Sequence, residues 1–203
     1  MKNLLRISPL FLLLLTGCED VEGGDGHTHN ENEVFTTVIL TFSPVGGGDD
    51  LEFRFTDLQD GNPVTEDITL ANGADYDLAT TFVNELEDPA EIMNGEIQDE
   101  DEEHQVFFTG SAVEGPATGT NASAVVEHAY VDQDGNGLPL GLENTINTLG
   151  DGSGDLIVTL RHMPPENGEA VKVDGLAETV ASSGFSAIGG NNDIQVTFPL
   201  AVE

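Results

Sequence analysis

Two groups of residues have the types and spacing for ion chemistry. The first is Asp132-Gln133-Asp134-Gly135-Asn136-Gly137 followed by Glu143, which fits the calcium-loop pattern D-x-[DN]-x-[DN]-G-x5-E at every defined position. Calcium takes about six to eight hard oxygens. Asp132, Asp134, Asn136, the Leu138 carbonyl and a bidentate Glu143 would supply most of them, with Gly137 allowing the sharp turn. The context departs from an EF-hand: residues 124–131 read as a strand, and Pro139 stands where an EF-hand carries an aliphatic pairing residue. Two readings stay open, a calcium loop on a β scaffold or a β-turn rich in Asp, Asn and Gly. Calcium is the one cofactor that this loop suggests. Asp57/Asp60 and Asp151/Asp155 are looser clusters and read as turns.

The second group is the five histidines. His27 and His29 flank one residue in an acidic segment with Asp25 and Glu31 nearby, a chelating spacing without fixed geometry. His104, His128 and His162 fall at expected strand ends, and His162 continues the apolar face of Leu156, Val158 and Leu160. Were those ends to converge, three imidazoles could hold zinc or copper; otherwise each is a satisfied structural side chain.

The N-terminus carries a different chemistry. Lys2 and Arg6 form a short basic region, Leu10-Phe11-Leu12-Leu13-Leu14-Leu15 an apolar one, and Thr16-Gly17 precede Cys18. This reads as a secretory leader over residues 1–17, too short to span a bilayer as a mature helix. Leu15-Thr16-Gly17-Cys18 resembles the bacterial lipobox, where the thiol receives a diacylglycerol and the peptide is cut before the cysteine. Because Cys18 is the only cysteine, lipidation would leave no thiol for catalysis, redox chemistry or a disulfide. Residues 18–33 are polar, acidic and glycine-rich and are expected to be a flexible tether.

From Val34 onward period two dominates, the mark of strands with one buried and one wet face. Residues 34–42, 51–56, 76–86, 156–162 and 193–198 alternate most clearly. Weaker strands are expected at 68–70, 105–109, 122–131 and 145–149, with turn clusters at 44–50, 59–63, 132–139, 150–155, 164–168 and 189–192. This predicts an all-β chain, an antiparallel β-sandwich of immunoglobulin-like shape in one domain over 34–203. Val38, Leu40, Phe53, Phe55, Leu78, Phe82, Val158, Leu160, Val196 and Phe198 would form the core between two sheets. One short helix is expected near 89–101, opened by Asp88-Pro89-Ala90-Glu91 and fraying before His104 because five acids occupy 99–103.

The charge narrows the function classes. With 38 acids against 5 Lys+Arg, the net charge of −33 excludes nucleic-acid binding and electrostatic docking on an anionic membrane. Contacts would favour a cationic ligand or a protein with a basic patch; equally, the acidity suits high salt. There is no G-x-S-x-G, Walker loop, H-E-x-x-H or dinucleotide fingerprint, and no Trp for a sugar-stacking platform.

Four segments carry a family resemblance: Glu102-Glu103-His104-Gln105-Val106-Phe107-Phe108, Asp132-x-Asp134-Gly135-Asn136-Gly137-Leu138-Pro139-Leu140-Gly141-Leu142, Leu160-Arg161-His162-Met163-Pro164 and Asp193-Ile194-Gln195-Val196-Thr197-Phe198-Pro199. Together they resemble small secreted lipoproteins of Bacteroidota, some loosely labelled periplasmic-binding-domain proteins. The resemblance implies a lipidated β domain and no particular activity. The acidic run behind Cys18 also resembles a surface-export signal of such lipoproteins, which favours the cell-surface side of the outer membrane over its periplasmic face. The expectation is a membrane-anchored, non-catalytic binding or structural module. The alternative is a metal-binding lipoprotein that uses the 132–143 loop or the histidines.

Overall fold

Alternating apolar residues build twelve strands in the computed structural model, which describes residues 33–203. Cys18, His27 and His29, with the expected leader and nearly all of the expected tether, lie outside the described residues. In chain order the elements are β1 (Thr37–Pro44), β2 (Leu51–Thr56), β3 (Val64–Thr65), β4 (Ile68–Leu70), β5 (Asp75–Asn84), β6 (Glu91–Ile92) and α1 (Asn94–Asp99). Then follow β7 (His104–Thr109), β8 (Val113–Glu114), β9 (Val126–Tyr130), β10 (Glu143–Thr148), β11 (Gly152–His162), α2 (Leu176–Ser183) and β12 (Asn191–Val202). The all-β class holds.

The larger sheet runs β3-β2-β1-β5-β10-β9-β8, with β6 added to β5; the smaller runs β4-β12-β11-β7. Their inner faces meet in one main core. Val38, Leu40, Phe42, Leu78 and Phe82 come from the larger sheet, and Phe108, Val158, Leu160, Val196 and Phe198 from the smaller. Burying such side chains stabilises the fold by about 1.5–3 kcal/mol each. Phe53 and Phe55, expected in the core, are only partly buried, because β2 lies toward the edge with just the two-residue β3 beyond it.

Smaller differences have local causes. β5 ends at Asn84, so Leu86 does not continue its buried face and is half exposed. The expected helix begins later than Asp88: Glu91 and Ile92 pair with Asn84 and Val83 as β6, and the Asn94 side chain ties to backbone groups of Thr80 and Phe82. A second helix was not expected. α2 packs Leu176, Ala177 and Val180 with Phe107 and Met163 in a separate small cluster. β7 is therefore covered on both faces, Val106 and Phe108 toward the main core and Phe107 toward α2, and His104 through Phe108 are all buried.

Candidate metal centre

Antiparallel pairing of β7 with β11 sets His104 directly opposite His162. Residues opposite each other share a face, so the two imidazoles stack, with ring centroids 4.5 Å apart and planes 9° from parallel. On the other side of β11, the register with β12 slips: Leu160 pairs with Ile194 but Arg161 pairs with Asn192, leaving Asp193 as the extra residue of a bulge. A bulge re-aims a side chain that regular alternation would send elsewhere, and the Asp193 carboxylate comes within 3.8 Å of His104 Nε2. Gly190 enters β12 at φ +77°, and a Cβ there would overlap the His162 carbonyl oxygen, so this close approach needs glycine.

Two further segments complete the cluster. Glu33 lies just before β1, in a lead-in pinned where Thr36 donates from its amide and hydroxyl to the Val83 carbonyl; its carboxylate is 3.5 Å from His104 Nε2. The turn between α1 and β7 brings Glu103 to 3.5 Å and Glu100 to 4.0 Å from His162 Nε2. One donor atom each from Glu33, His104, His162 and Asp193 lie within 4.8 Å of one another.

The polar accounting of this site is unusual. Glu33 Oε2, Glu103 Oε2, His104 Nε2, His162 Nε2 and Asp193 Oδ2 are buried without a hydrogen-bond partner, five of the nine such side-chain atoms among the described residues. They face one another as ion pairs of His104 with Glu33 and Asp193 and of His162 with Glu103, at 3.5–3.8 Å, longer than hydrogen bonds. His104 Nδ1 lies 3.2 Å from the Glu100 carbonyl. With the proton donated there, the Nε2 lone pair faces the carboxylates, the arrangement that orients a metal-binding imidazole. Burial pushes the Asp193 carboxyl up to about 6 against the opposing pull of His104 and His162. Burial would depress His104, but Glu33, the Glu100 carbonyl and Asp193 outweigh it and hold its imidazolium above the ordinary range. Arg161 is nearby, yet its guanidinium is spent on the Gly189 carbonyl at 2.7 Å, Asn192 Oδ1 at 2.6 Å and the Gly190 carbonyl at 2.8 Å. Two imidazoles with carboxylates suit first-row divalent ions such as zinc, copper or iron.

The 132–143 loop is arranged otherwise. Asp132 accepts the Gly141 and Leu142 amides at 2.7 and 2.9 Å. Asp134 Oδ1 accepts those of Asn136 and Leu138 at 2.9 and 2.8 Å, and the Leu138 carbonyl accepts the Asp134 amide. Asp134 Oδ2 meets the Lys172 ammonium at 2.8 Å, with both side chains fully buried, and Lys172 also donates to the Asp101 carbonyl at 2.7 Å. Burial raises the Asp134 carboxyl, but Lys172 and the two amides more than offset this and hold it below the usual range. Lys172 thus supplies the positive charge that a calcium ion would bring to Asp134. Glu143 is exposed on β10, where its carbonyl accepts the Val131 amide. The Gly135 amide bonds Asp101 Oδ2 at 3.0 Å, so the loop props the turn that carries Glu100 and Glu103.

Of the three strand-end histidines, two converge. His128 lies on β9 of the other sheet, stacked on Phe108, edge-on to Tyr130 and bonded to Asn144 Oδ1 at 2.9 Å, and burial pushes its imidazole down to about 4. Glu33, counted with the tether in the sequence, and Asp193, Glu100 and Glu103 were not singled out there. The one available signal was the contiguous pair Glu103-His104 at a strand start. The sequence matches no protein-family model, and comparison with curated proteins and with solved structures likewise returns no match.

Proposed function

We propose that this chain is a membrane-anchored, non-catalytic lipoprotein whose β domain holds a divalent transition metal of the zinc class, with His104, His162, Glu33 and Asp193 as ligands and Glu103 and Glu100 beside them. The observation that carries this reading is the convergence of one donor atom each from Glu33, His104, His162 and Asp193, all within 4.8 Å of one another around the fully buried His104 side chain. The centre is also largely covered: the His104 side chain is fully buried and the His162 side chain, the most exposed of the six, is 25% accessible. The anchor in this reading is lipid on Cys18, with the domain on the cell-surface side of the outer membrane. The two facing sheets suit an immunoglobulin-like sandwich, the finer arrangement that we favour.

Thermal melting of chelator-stripped protein tests the proposal. Zinc at a hundredfold excess over its dissociation constant adds about 2.7 kcal/mol to stability. His104→Gln or His162→Gln should abolish most of that gain, while Asp132→Asn should keep it. A melting temperature indifferent to zinc, copper and iron would end the metal reading.

A further inference from the structure

We infer that Lys172 and Asp134 condense into an internal amide, a covalent cross-link between Lys172 Nζ and Asp134 Cγ. The inference is independent of the metal centre. Lys172 is one of only two lysines in the chain, and the other, Lys2, lies in the expected leader. Lysine is almost never fully buried, and a domain this acidic offers it every surface partner. Its side chain is nonetheless fully inaccessible, as is that of Asp134. Nζ and Oδ2 are 2.8 Å apart, yet Oδ2 has no hydrogen bond, so the contact is close without the alignment that a hydrogen bond requires. Groups held together in this way react as if at an effective concentration of about 10⁵ M or more when well oriented.

The surrounding bonds divide the roles. Asp134 Oδ1 accepts the Asn136 and Leu138 amides at 2.9 and 2.8 Å, so two donors face the oxygen that gains negative charge when Nζ adds to Cγ. Oδ2 carries no such bond and is the oxygen that leaves. The Asp101 carbonyl accepts from Nζ at 2.7 Å and fixes the amine, and the N–H of the product amide keeps a donor for it. Burial pulls the Lys172 ammonium below its ordinary range against Asp134, Asp101 and Asp132, which eases loss of its proton. The reaction balances without a co-reactant. One proton passes from Nζ to Oδ2, giving a neutral amine and a carboxylic acid. Nζ then adds to Cγ, a second Nζ proton passes to Oδ2, and the Cγ–Oδ2 bond breaks with release of one water. Nothing is oxidised or reduced. The ion pair is the state of the newly folded chain, and the bond closes afterwards. It joins the turn between β9 and β10 of the larger sheet to the connection between β11 and α2.

The test reads the unaltered full chain, kept at neutral pH after purification, then unfolded and digested with trypsin. Residues 55–161, which contain Asp134, and 162–203, which contain Lys172, should stay joined in one branched product. Its mass should fall one water short of the two sequences, with the Lys172–Val173 bond uncut, because trypsin does not cleave after an amide-linked lysine. Lys172→Arg, which keeps a cation but supplies no amine, should release 55–161 and 162–172 separately at full sequence mass. Release of 162–172 from the unaltered chain would overturn the inference. Loss of one water confined to 55–161 would overturn it too, since that marks a succinimide at Asp134-Gly135 with Lys172 left free. Both results come from the unaltered chain, so they stand even where the variant fails to fold.

Discussion

His104 and His128 are both fully or almost fully buried, yet their surroundings drive them in opposite directions. His128 meets aromatic rings and one amide, and burial lowers it to about 4. His104 meets carboxylates, which outweigh burial and raise it. In metal-free protein, histidine NMR should show His128 neutral down to about pH 4, while His104 loses its proton above the usual range; zinc should remove the His104 titration. The stability signs differ accordingly. The His128 contribution is complete above the ordinary histidine range and is lost as pH falls toward 4, whereas that of His104 is present at lower pH and lost as pH rises through its folded value. Denaturation of His128→Phe and His104→Gln against pH should each remove one of these slopes. The histidines were legible as candidates because the type is rare in this chain. Their partners were not, because Glu33, Glu100, Glu103 and Asp193 are four of 38 acids, and only the fold says which four meet.

At the level of elements, the β periodicity was readable wherever one face is wet, as in β1, β5, β11 and β12. It failed where context decides. The bulge at Asp193 leaves no mark in a pattern of alternation, and α2 is a two-turn helix whose apolar residues matter only because Phe107 faces it. The 132–143 loop also depends on a distant residue. Its motif is complete, but Lys172, far along the chain, already answers the Asp134 charge. Removing one partner of a buried ion pair costs about 3–5 kcal/mol, so Lys172→Met should destabilise by that amount. Asp134→Leu in the same chain should recover much of the loss, because it removes the stranded carboxylate. Urea denaturation of the single and double variants measures both. Since Lys172 and Gly135 also brace Asp101, Lys172→Met should weaken zinc binding as well.

For the whole molecule, composition and pattern were enough for an all-β chain with one main core between two sheets, because both depend on averages over many residues. The proposed leader and lipid anchor rest on local sequence alone. Cys18→Ala should leave an uncut precursor without lipid, and mass spectrometry of the membrane fraction reads both; an unmodified thiol in the mature wild type would count against the anchor. The position of Glu33 has a mechanical consequence. With its single cysteine, this chain cannot form a disulfide within itself. An ion seated among Glu33, His104, His162 and Asp193 would instead tie the segment before β1 to β7, β11 and β12 of the smaller sheet, closing a ring around nearly the whole domain. Large rings restrain an unfolded chain the most, and this clasp, unlike a disulfide, would be indifferent to reductant and released by a chelator.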